Sequence, residues 1–338
     1  MASIKDIAKI CGVSVATVSK ALNDKDDISD KTKERIKEVA KQMSYFPQYY
    51  ARAIRMNKSF NIGVLFVDEA MSGLTHDYFS NILNSFKVTA ESKGYDITFI
   101  NSNKHLQKTK TFLEHCRYRG LDGVVIACID FGNPEVIELV KSDIPTVTID
   151  KVFKNETSVV SDNDFGMRRL VEYVISKGHT KISYIHGDLS DVTLHRIEIF
   201  KEVCKENNIK LKKSSIIASE YRNPIKAAQI TKKLMTMQDS PTCILYSDDY
   251  SAIGGMGQLK DMHLEIPQDV SVAGFDDIFL ASQMVPRLTT VRQDTDSIGR
   301  VAAEKLITLI ESSSPSNFDS TLIPTQLIEG ESVGEIKN

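Results

Sequence analysis

The chain has 338 residues, 41% hydrophobic and 26% charged, which provides enough apolar surface for a globular protein of two or three domains. It holds no run of eighteen apolar residues, and MASIKDIAKI has no long apolar core. Neither a membrane span nor a signal peptide is therefore expected, and the expected location is the cytoplasm. The net charge of −3 divides unevenly: residues 1–58 carry nine Lys and three Arg against five Asp and two Glu, a net +5 that leaves −8 for the rest. A basic head on an acidic body points to a polyanionic partner.

The head reads as three short helices. Ser3 and Asp6 form an N-terminal capping pattern ahead of Ile4, Ile7, Ala8 and Cys11, and Gly12 stops that helix. Ser14 caps the next, over 15–22, where Val18, Ala21 and Leu22 share a face while Val15 and Ala16 stand apart from it. Ser29 caps a third, with Ile36, Val39, Ala40 and Met43 as its stripe. Two helices joined by a few residues that include glycine have helix-turn-helix spacing. Pro47 ends the head, and the segment 48–58 is too short and basic for a core helix.

From Asn61 the rhythm changes to near-continuous apolar strands at 61–67, 96–102, 123–128, 145–150, 181–187, 242–247 and 269–276. Helical patterns fall between and after them, at 78–93, 107–119, 133–142, 164–177, 194–207, 224–237 and 249–260. Such alternation means parallel sheets covered on both faces. It occurs twice, so the chain is α/β: a three-helix head, a hinge helix, then two doubly wound lobes with a ligand cleft between them at the strand carboxyl ends. A polar loop, 311–320, precedes a last strand in TLIPTQLIEG, with no heptad extension after it. The expected domains are 1–47, 48–58 and 59–338. Within the core, 59–160 and 293–320 form one lobe, and 161–292 and 321–332 the other.

VSVATVSKALN, YFPQYYARAI, SVAGFDD and LTTVRQD, in that order over nearly the whole chain, together resemble the LacI/GalR family of bacterial repressors. The resemblance implies a homodimer on a pseudo-palindromic operator of double-stranded DNA, with a core like that of periplasmic sugar-binding proteins. Val15 and Ala16 match the family's two specificity positions. Small apolar groups there meet thymine methyls in a major groove about 12 Å wide. Thr17 and Ser19 suit phosphate oxygens, and Lys20 stands where many relatives have arginine. Ser14, Ser29, Tyr45 and Arg52 complete the candidate DNA contacts. Ile54 matches the hinge leucine that wedges into the minor groove. A helix this short forms only when paired with its dimer mate, so a small lobe movement would melt it.

For the effector, the resemblance marks Tyr78 and Phe79 in HDYF, Arg196 in LHRIEIF, Asp248 in YSDDYSAIG and Asp276 in GFDD, with Asp150 and Asp162 as further polar contacts. The tyrosine and phenylalanine would stack on a ring. Acids beside a single arginine suit a neutral sugar, whose hydroxyls donate. A nucleoside or purine effector, control by a partner protein, and a transporter's solute-binding protein are the alternatives. Catalysis is not expected: GGMG lies inside a helical pattern, and neither HExxH nor GxSxG occurs. The five scattered cysteines lack a CxxC pair and read as free thiols, so no metal or cofactor is expected.

Overall fold

A computed structural model describes residues 3–45, 58–67, 73–75, 77–100, 110–312 and 318–336, in two units that divide between Ser59 and Phe60. In the first unit, helix α1 (Ile4–Cys11) opens on a reciprocal cap. Ser3 Oγ accepts from the Asp6 amide, and the Asp6 carboxylate accepts from the Ser3 amide at 2.9 Å, so two donors that a helix start leaves unpaired are satisfied. Gly12 ends it at φ 61°, a left-handed conformation that glycine adopts without a Cβ penalty. Helix α2 (Val15–Leu22) starts on Ser14, whose hydroxyl accepts the Thr17 amide at 3.0 Å. Helix α3 (Asp30–Gln42) starts at Ser29, but the expected side-chain cap is not made. That hydroxyl lies 2.9 Å from the Thr32 hydroxyl instead of accepting a helix amide. Ile7, Cys11, Val18, Ala21, Ile36 and Ala40 close a small core of their own.

The second unit contains strands β1 (Asn61–Phe66), β2 (Asp96–Phe99), β3 (Gly123–Ala127), β4 (Thr146–Ile149), β5 (Thr157–Ser161), β6 (Ile182–His186), β7 (Ile216–Ala218), β8 (Cys243–Tyr246), β9 (Ser271–Ala273), β10 (Thr290–Gln293), β11 (Ser320–Ile323) and β12 (Thr325–Ile328). The first lobe is a parallel sheet in the order β11-β5-β4-β3-β1-β2, and the second a parallel sheet in the order β7-β6-β8-β9. Both are sandwiched between helices. In β3, Val125 and Ala127 pack on the face carrying helices Asp77–Ser92 and Thr295–Glu311, while Val124 and Ile126 face Phe112–Arg119 and Pro134–Val140. In β8, Cys243 and Leu245 meet helices Asn163–Ser176 and Asp191–Glu206, while Ile244 and Tyr246 meet Pro224–Met235 and Asp249–Asp261. A strand buried on both sides has no polar face to show, which is why these runs are apolar throughout.

Five strands and α-helices among the described residues lie outside the expected alternation: β5, β7, β10 and the helices Phe279–Gln283 and Thr295–Glu311. The latter helix returns to the first lobe and packs so closely on Asp77–Ser92 that a Cβ at Gly299 would overlap the Ile82 carbonyl. The expected single strand in TLIPTQLIEG is two. Pro324 has no N–H for a ladder, so β11 ends there, and β12 pairs antiparallel with β10. Residues 321–323, expected in the second lobe, therefore extend the first sheet. Two of the three GGMG glycines are packing devices inside the helix Asp249–Asp261, since a Cβ at Gly254 would meet the Pro224 backbone and one at Gly255 the Tyr246 hydroxyl.

Candidate functional site

On the head, Val18 and Ala21 are buried, while Val15 is 42% exposed and Ser14, Ala16, Lys20 and Ser29 are exposed beside it. Thr17 and Ser19 are half-buried. The Thr17 hydroxyl lies 2.9 Å from that of Ser14, and the Ser19 carbonyl accepts from the Asn23 amide group at 2.6 Å. Lys20 is ion-paired with Asp27 in the loop that follows α2. Tyr45 packs against the head core, leaving only part of its surface available. Arg52 and Ile54 lie outside the described residues, as does most of the hinge segment 48–58.

In the second unit the carboxyl ends of strands from both lobes surround one cavity of about 570 Å³. Its wall includes Tyr78, Phe79, Asp150, Arg196 and Asp276, five of the residues singled out in the sequence. Asp150 follows β4. Its Oδ2 accepts from the Tyr78 hydroxyl at 2.9 Å, while Oδ1 is buried without a partner. Burial pushes the Asp150 carboxyl up, against the pull of the Tyr78 hydroxyl and the Arg196 charge. Tyr78 thus serves the acid through its hydroxyl, and its ring belongs to the first-lobe core instead of offering a stacking face. Phe79 lies edge-on to Phe66 and Tyr78.

Arg196, 3% exposed, lies over the Phe275 ring at 3.5 Å. Its Nε donates to Asn163 Oδ1 at 2.8 Å and its Nη1 to the Ser247 carbonyl at 3.1 Å, which fixes the guanidinium plane toward the cavity. Asp276 accepts from the Gln293 amide group at 2.7 Å. Burial, with the charges of Asp248 and Asp150 acting in the same sense, outweighs Arg196 and Gln293 and raises its carboxyl to about 7. Cys128, Asp150, Arg222 and Asp276, all on the wall, take positive φ. Non-glycine residues rarely do so, and such strain gathers at ligand sites.

Asp248 and Asp162 are not among the residues that line this cavity, and each carboxylate caps a helix. Asp248, 1% exposed, accepts from the Ser251 amide, the Ser247 and Ser251 hydroxyls and the Arg222 amide. Asp162 accepts from the Phe165 amide at 2.9 Å where the chain crosses between lobes. The wall also contains residues that the sequence reading missed: Lys151, Asp191, Tyr221, Arg222 and Gln293. Gln293 lies within LTTVRQD, and Lys151 adjoins Asp150, so a signal existed for both. Lys151 pairs with Asp191, Arg222 Nη2 donates to the Thr75 carbonyl at 3.2 Å, and the Tyr250 hydroxyl donates to the Asp77 carboxylate. Each of these three contacts joins one lobe to the other.

Residues 3–48 match the bacterial regulatory proteins of the lacI family, and residues 171–333 match a periplasmic binding protein-like domain. The probable HTH-type transcriptional repressor ExuR of Bacillus subtilis (strain 168) is 31% identical over 313 residues, 92% of each chain. The chain belongs to the lacI family of bacterial regulatory proteins. The HTH-type transcriptional repressor PurR of Vibrio vulnificus (strain CMCP6) is 29% identical over 316 residues, again 92% of each chain. A structure of the lac repressor dimer bound to operator and the anti-inducer ONPF shares the fold of this LacI-family protein: TM-score 0.84, 24% identity, 98% of this chain and 99% of that one. The protein is a DNA-binding transcriptional repressor of that family and not an enzyme. Among the described residues no helix is long and apolar enough to cross a membrane, and no three His, Cys, Asp or Glu cluster to hold a metal ion.

Proposed function

We propose that this LacI-family repressor binds a pseudo-palindromic operator as a homodimer and that a hydroxyl-rich, sugar-class small molecule in the lobe cleft sets its operator affinity. In this reading α2 enters the major groove. Val15 and Ala16 reach thymine methyls, and the N-terminal end of the helix meets phosphate. Arg52 contacts the DNA backbone, and Ile54 wedges into the central minor groove. The observation that carries the effector reading is the cavity wall itself. Asp150 from the first lobe offers a buried, unpartnered acceptor, and Arg196 and Asp276 come from the second. A molecule held by both lobes favours one angle between them, and it shifts the operator equilibrium by its differential affinity for the two states, typically about 1–3 kcal/mol.

Calorimetric titration of sugars, sugar phosphates and nucleosides into the full chain, repeated with Arg196→Ala, tests this. The expected outcome is selective sugar binding that the substitution abolishes while operator binding persists. Selective nucleoside binding would transfer the cleft to a base, for which Tyr221, pressed against Gly187 on the cavity wall, offers a ring. The DNA reading has its own test: salt-dependent retention on DNA by the full chain and none by a chain beginning at Asn61.

A further inference from the structure

The cations around the cleft are unequally occupied. Lys151 is paired with Asp191, and Arg196 has Asn163 and the Ser247 carbonyl. Arg222 spends Nη2 on the Thr75 carbonyl and lies over the Tyr250 ring at 4.5 Å, but its Nε and Nη1 are buried with no hydrogen-bond partner. Nε carries one N–H and Nη1 two, so three donors of a permanent cation are left unmade on the cavity wall. A guanidinium cannot shed its proton to escape that cost. The placement is also held from behind: the backbone at Arg222 takes φ 51°, and Asp248 fixes its amide at 3.1 Å. Strain, a buried supporting carboxylate and idle charged donors converge on one side chain.

Resting on the effector reading above, we propose that the effector carries a carboxylate beside its hydroxyls, as a sugar acid does, and that Arg222 receives that carboxylate. The single arginine expected from sequence suited a neutral polyol, but the cavity holds three cations, and in Arg222 two of the three guanidinium nitrogens are buried without a partner. A carboxylate has about four lone-pair positions, enough for the idle donors, and charge-assisted hydrogen bonds are the strong ones. A phosphate would bring a second charge toward Asp130, Asp188 and Asp191 on the same wall, so the singly charged group fits better.

Calorimetry on the full chain, wild type and Arg222→Gln, with matched probes decides the matter: glucose, glucuronate and glucose 6-phosphate, then galactose, galacturonate and galactose 6-phosphate. The expected result is that one acid binds at least about tenfold more tightly than its neutral parent, about 1.4 kcal/mol. Arg222→Gln brings that acid down to the neutral sugar's affinity, a thermal melt matching the wild type is the control for folding, and Arg222→Lys restores part of the gap. A preference that survives Arg222→Gln, equal affinity within each pair, or preference for the phosphates overturns the proposal. Neutral-sugar binding that needs Arg196 but shows no preference for acids would leave the effector reading standing and this one refuted. Binding by none of the six probes would refute both.

Discussion

Replacing Asp276 by asparagine removes a proton that the folded protein keeps long after the unfolded chain would have lost it. The native carboxyl titrates at about 7 against an ordinary 3.8, chiefly because it is buried. Below about pH 4 both states are protonated and the contribution to stability is fully present. Between about 4 and 7 only the native state holds the proton, so stability falls by about 1.4 kcal/mol per pH unit; above 7 the loss is complete. Three units amount to about 4 kcal/mol, a large share of a typical stability of about 5–15 kcal/mol. Urea midpoints at pH 5, 6, 7 and 8, at constant salt, should show Asp276→Asn gaining on the wild type by about 2 kcal/mol between pH 5 and 7. Asp150 and Asp249, both pushed up by burial, leave a residual slope of the same sign in the variant. Parallel pH profiles for the two proteins would refute the reasoning.

Gly255→Ala forces a Cβ into the Tyr246 hydroxyl and should cost about 1–3 kcal/mol in a thermal melt, while Gly257→Ala, with nothing within 4 Å, should be neutral or stabilise by up to about 1 kcal/mol. Val15→Ser should change which operator base is preferred, by about 1–3 kcal/mol in competition gel shifts, without changing the salt dependence. Asp27→Asn releases Lys20 from its ion pair, so the slope of log affinity against log salt should steepen by about one contact. An unaltered slope would mean that Lys20 does not meet a phosphate.

Much of this architecture was legible because it rests on local signals. The Ser3–Asp6 cap, the Gly12 stop and the apolar runs of β3, β6 and β8 each have a short-range cause. What escaped was the return of the chain. The helix Thr295–Glu311 is amphipathic like the others, and only tertiary packing on Ile82 and Phe86 assigns it to the first lobe. The cleft divided the same way. Asp150 and Asp276 follow the carboxyl ends of strands, and Arg196 lies in the second turn of the helix Asp191–Glu206. Asp248 and Asp162 sit at strand-to-helix junctions where an aspartate reads equally well as a cap or as a ligand contact, and both carboxylates cap helices. Arg222 lies in a loop without periodicity, so no spacing announces it; its importance appears only when its donors are counted.

The chain crosses between lobes near Asp162, Asp294 and Pro324, and these crossings govern the order in which a ribosome can deliver the protein. The head is complete within its first 45 residues and carries its own core. The first lobe, begun at Asn61, cannot gain the helix Thr295–Glu311 or its edge strand until nearly the whole chain has emerged, and the cleft wall waits for Gln293. At about 5–20 residues per second that lag is roughly ten seconds to a minute. The module that reads DNA is therefore made first and the module that restrains it last, and a truncated chain would have the reader without its regulator.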